Sequence, residues 1–112
     1  MLPQRTKTQA EELRRRLPEY GWECVEIEQP FEDEWWAAEI WRLESLWSPQ
    51  GVQVYLTFHV DPMDGENVDS VHTSAEHPYE RSSGDYPVMH LGHGWKKELP
   101  AFLEALSHFR DR

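Results

Sequence analysis

The sequence predicts an α+β fold: a single domain over residues 1–112, with an antiparallel sheet of about five strands and an N-terminal and a C-terminal helix packed on one face. Three observations predict it. Residues 52–60, VQVYLTFHV, alternate without a break, setting Val52, Val54, Leu56, Phe58 and Val60 against Gln53, Tyr55, Thr57 and His59. That is the period of a strand with one buried face. Near the C-terminus Leu99, Phe102, Leu103, Leu106 and Phe109 recur at helical spacing, as Ala10, Leu13 and Leu17 do near the N-terminus. A chain of 112 residues has room for one core.

In chain order, Thr8-Gln-Ala-Glu11 has the form of a capping box and predicts the start of the first helix, whose outer face is basic. Pro18 and Gly21 close it. From Trp22 the period changes to two, with Val25, Ile27 and Phe31 on one side and Glu26 and Glu28 on the other, a half-buried strand over 22–29. The stretch EWWAAEIWRLESLWSPQG, residues 34–51, holds four of the six tryptophans. As a strand over 38–47 it places Trp41, Leu43 and Trp47 on one face and makes Ser48-Pro-Gln-Gly51 the turn into the strand 51–60. As a helix over 34–47, capped by Asp33, it aligns Trp36, Ile40, Leu43 and Trp47 but leaves Trp41 off the stripe. It also leaves Glu44 at a helix C-terminus, where the dipole disfavours it. The strand is the preferred reading.

Asp61-Pro62 and Asp64-Gly65 supply the next turn. VDSVHTSA (68–75) and YPVMHLG (86–92) read as strands, separated by the polar EHPYERSSGD, which is expected to be a mobile loop. Gly92-His-Gly94 breaks the last strand, and Pro100 suits an early helical position, so the final helix is expected to start near it. Trp41, Trp47 and Trp95 are expected mainly in the core, and Trp35, at the acidic entrance FEDEWW, is expected to be partly exposed.

The net charge of −10 is uneven. Residues 1–16 carry five cations against two acids, a net +3; residues 17–80 carry fifteen acids against Arg42 alone, a net −14; the remainder nets +1. So acidic a middle repels nucleic acid and anionic membrane surfaces and favours a basic partner, although acidity also serves solubility. The lone Cys24 excludes an internal disulfide and suits a reducing compartment. With no apolar run of signal-peptide or membrane-span length, a cytoplasmic protein is expected.

Motifs for chemistry are sparse. His90 and His93 form the only close histidine pair, and strand geometry sends them to opposite faces unless Gly92 bends the chain. Cys24 has no flanking cation or helix start to activate it. Ser82-Ser83-Gly84-Asp85 lacks the frame of a nucleophile elbow, and Gly92-His-Gly94 is too short to cradle phosphate. No catalytic residue, metal ligand or cofactor is assigned.

The runs WSPQGVQVYLTFHVDP and GHGWKKELPAFLEAL resemble the pattern W-S-P-x-G, T-F-x-V-D-P, G-W-x-x-E-L-P of a small family of uncharacterised bacterial proteins, over about residues 39–65 and 90–110. The resemblance implies a bacterial cytoplasmic domain and carries no activity.

The expected functional surface is the sheet face without helices, showing Glu26, Glu28, Arg42, Glu44, Tyr55, Thr57 and His59, with Trp35 nearby. A polar, acidic, ring-bearing surface suits a basic protein partner, which makes a non-catalytic interaction domain the first expectation. The alternative is a small enzyme or metal- or ligand-binding protein built on a His/Glu/Asp cluster around His59, His72 and His90.

Overall fold

The computed structural model describes residues 2–47, 51–80 and 86–109. Its elements run α1 (Gln4–Arg16), a 3-10 turn (Leu17–Tyr20), β1 (Trp22–Glu28), β2 (Ala37–Ser45), β3 (Gln53–Asp61), β4 (Asp64–Ser74), β5 (Val88–His90) and α2 (Trp95–Ser107). The five strands form one antiparallel meander in sequence order. This is the α+β fold expected, with strand rather than helix through Trp41 and Leu43.

The core lies between the helices and one sheet face. Val54, Leu56 and Phe58 of β3 meet Leu43 and Trp41 of β2 on one side and Thr73 and Val71 of β4 on the other, directly opposite in register. Leu13, Leu17, Leu99, Phe102, Leu103 and Leu106 close over this face. Trp22 is fully buried, and its Nε1 donates to the Leu106 carbonyl at 3.2 Å, fixing the start of β1 to the last turn of α2. Gln9 Nε2, also buried, donates to the Leu91 carbonyl at 2.8 Å and ties α1 to the strand-to-helix junction.

Several expectations are corrected. The first helix begins at Gln4 rather than at Thr8, because Leu2, Thr6, Gln9, Ala10 and Leu13 form one buried stripe, which needs an extra turn; Lys7 N–H bonds the Pro3 carbonyl at 2.9 Å. Gly21, with φ 89°, closes the segment after Pro18 as expected. In β1 a bulge at Val25 breaks the alternation between Cys24, opposite Leu43, and Glu26, opposite Arg42. Ile27 therefore stays on the helix side opposite Trp41, and Val25, Ile27 and, beyond the strand, Phe31 are all exposed to different degrees, Phe31 the most.

Trp41 is 2% exposed, as expected, but Trp47 is 61% exposed. β2 ends at Ser45, whose hydroxyl accepts from Trp47 N–H at 3.1 Å, so strand parity no longer governs the ring. Trp95 is half-buried against the core, and Lys96 lies over its ring. The turn after β3 is Pro62-Met63, held by Met63 N–H on Asp61 Oδ1 at 2.8 Å, so Asp64-Gly65 already opens β4. α2 starts at Trp95, after Gly94 at φ 83°, and Pro100 sits inside the helix on its exposed side rather than near its start. The Ser48-Pro-Gln part of the expected hairpin turn lies outside the described residues.

Candidate functional site

β1 and β2 project four carboxylates, Glu23, Glu26, Glu28 and Glu44, and one guanidinium, Arg42, from the helix-free face. Arg42 Nε lies 3.3 Å from Glu26 Oε1, and its Nη1 lies 3.2 Å from Glu44 Oε1. The bond to Glu26 raises the Arg42 pKa further above its ordinary value. Glu23 stands directly opposite Glu44 in the β1–β2 register. Cβ atoms of directly opposed residues are about 5 Å apart, and like charges there destabilise the pair. Arg42 supplies one positive charge among these acids.

The other half of the face is not open. Residues 31–36 and 77–79 fold across it and build a ring cluster. His77 Nε2 lies 3.1 Å from both Glu28 carboxylate oxygens, and the His77 ring packs edge-on against Tyr55. Tyr79 meets Phe31, Trp36 and His77, and Trp36 packs on His59 with centroids 5.5 Å apart. Beneath them Ile40 and Thr57 are almost fully buried although they belong to this face. The stretch expected to be a mobile loop thus supplies, in His77 and Tyr79, the cover of the sheet; its residues 81–85 lie outside the described residues.

His59 and His72, neighbours across β3 and β4, stack with centroids 3.9 Å apart. Burial is the main cause that pushes both rings toward the neutral form, His59 to a pKa of about 4; in each case a neighbouring histidine adds to the shift and Asp69 opposes it. His72 Nε2 is 3.0 Å from Ser70 Oγ, and the Ser70 hydroxyl donates to Asp69 Oδ1 at 3.0 Å. With the Ser70 hydroxyl proton directed at Asp69, His72 donates to Ser70 Oγ, the reverse of what activation of a serine requires. His90 is drawn out of the group, its Nδ1 3.1 Å from Glu98 Oε1. Among the described residues no three His, Cys, Asp or Glu side chains are arranged to hold a metal ion. Burial also raises the Cys24 pKa, so its thiol stays protonated at neutral pH.

The residues expected at the site therefore separate. Glu26, Arg42 and Glu44 come together, Glu28 and Tyr55 converge on His77, and His59 is half-buried beneath Trp36. Thr57, expected on the surface, is 2% exposed because the ring cluster covers it. Trp35 is 65% exposed but lines a separate recess with Pro3, Pro30 and Val68. Glu23, Trp36, His77 and Tyr79 were not anticipated; the Trp22–Cys24 half of the alternation holds the signal for Glu23, whereas only tertiary folding brings in the other three.

On the helix side of β1, a groove of about 470 Å³ runs between the strand and α1, with Leu2, Ala10, Ile27 and Trp41 as apolar lining and Lys7 and Arg14 among its polar residues. Glu39 is buried at its floor, accepting from Trp41 Nε1 at 2.8 Å and Gln29 Nε2 at 3.2 Å. Compared with protein-family models, curated proteins and solved structures, the chain finds no match. Among the described residues no helix is long and apolar enough to cross a membrane.

Proposed function

We propose that the domain is a non-catalytic protein-interaction module that receives a basic protein partner on the acidic half of the helix-free face. The observation that carries this reading is Glu23 directly opposite Glu44, with Glu26 alongside and only Arg42 between them. A cation from a partner relieves repulsion that the isolated domain retains, so binding energy arises where the fold is electrostatically unfavourable. Nucleic acid and anionic membranes are repelled by the same charges. In this reading the module works in a bacterial cytoplasm, where Cys24 stays reduced.

Glu23→Lys separates stability from binding. The substitution replaces a like-charge pair by an opposite-charge pair, so the variant is expected to be more stable by roughly 0.5 kcal/mol while associating more slowly with a lysine- and arginine-rich peptide. Stopped-flow association at two ionic strengths, alongside urea denaturation, measures both. Association that is unchanged in rate and in salt slope would remove this face from the function.

A further inference from the structure

We propose that the free edge of β1 takes up an extended segment of the basic partner as a sixth strand, with aliphatic side chains toward α1 and basic side chains toward the helix-free face. The inference rests on the acidic-face reading and adds to it the backbone, the register and the chemistry of the bound segment.

The two edges of the sheet are treated differently. At β5 the His90 N–H donates to Glu98 Oε1 of α2 at 3.3 Å, so this short edge is capped. At β1, among the described residues, the only hydrogen bond beyond the sheet that reaches the backbone is the weak contact of the Cys24 thiol to the Glu26 carbonyl at 3.8 Å. An uncapped edge is a template for another strand. The bulge at Val25 confines regular pairing to the run from Glu26. That length suffices in this sheet, since β5 is held through three register pairs.

The two sides of the edge differ in chemistry. On the helix side Ile27 is 39% exposed and faces the groove with Leu2, Ala10 and Trp41. On the other side stand Glu26 and Glu28. Because strand side chains alternate, a segment of alternating aliphatic and basic residues fills both sides at once. A slip of one residue would set its basic side chains against the apolar lining of Leu2, Ala10 and Trp41 and its aliphatic ones among the carboxylates of the other face, so the contrast between the two sides fixes the register. A second copy of the chain is disfavoured, because β1 against β1 opposes like carboxylates.

The test uses the full-length protein and the capped peptide KVKIKVK, together with two versions N-methylated at alternate amides, one on the odd and one on the even positions. Side chains and charge are unchanged, but each version loses the backbone donors of one edge. The expected result is that the parent peptide binds and slows amide exchange in residues 26–28. One N-methylated version is expected to bind at least about tenfold more weakly than the other, as the loss of two hydrogen bonds implies. Ile27→Lys, at a half-exposed position, is expected to weaken the parent peptide. Equal binding of both N-methylated versions, with exchange at β1 unchanged, overturns the edge proposal. If Glu23→Lys still slows all three peptides, the acidic-face reading survives that failure; if no peptide binds, both fall.

Discussion

The Thr73 hydroxyl is buried on the helix side of β4 with no hydrogen-bond partner among the described residues. It stands opposite Leu56, whose side chain belongs to the hydrophobic core. Replacing it by the isosteric valine removes an unsatisfied polar atom without opening a cavity, so Thr73→Val is expected to stabilise the protein by about 1 kcal/mol. A rise in urea midpoint at unchanged slope checks it. At this scale the sequence was legible where strict alternation holds: Glu26 and Glu28 face away from the helices, and Trp41 and Leu43 face the core. It misled at Trp47 and Phe31, since a side chain follows strand parity only while the strand continues. Trp36, His77 and Tyr79 meet through contacts between distant segments, which no local period records.

α2 is the element whose stripe was plainest and whose start was missed. Four of its five stripe residues are buried, and Phe109 packs on the core just beyond the helix. The start was misplaced because proline is taken as an N-terminal residue, whereas here Gly94 opens the helix and Pro100 lies one turn inside it. A proline there leaves the Lys96 carbonyl without its intrahelical donor and strains the turn, an effect of about 3 kcal/mol in a helix interior. Part of that is offset because proline also restricts the unfolded chain. Pro100→Ala is therefore expected to raise stability by about 2 kcal/mol, read by thermal and urea unfolding, with the helical circular dichroism signal at least as strong. A loss of stability would mean that the ring makes a contact worth more than the missing bond. The bulge in β1 was equally invisible in advance, because Val25, Ile27 and Phe31 match a regular strand as well as a broken one. Only pairing with β2 shows which residue is extra.

For the molecule as a whole, the ring cluster makes stability depend on pH. His59 lies under Trp36 and His72 stacks on His59, where burial disfavours the charged ring; Asp69 is the acid that opposes the shift, and each ring's neighbouring histidine reinforces it. As pH falls below about 6.5, the unfolded chain takes up protons that the folded His59 refuses until about pH 4, so the unfolded state binds more protons throughout that window. Stability is therefore expected to be full above pH 6.5, to fall as the solution is acidified toward pH 4, and to receive no further His59 contribution below that. Relief of the overall negative charge acts in the opposite direction. His59→Phe keeps a ring against Trp36 and His72 and removes the titrating group. Urea midpoints at pH 7 and pH 5 are expected to differ clearly in the wild type and much less in the variant. An equal difference in both proteins would place the proton uptake elsewhere and deny the ring cluster its part in the acid response.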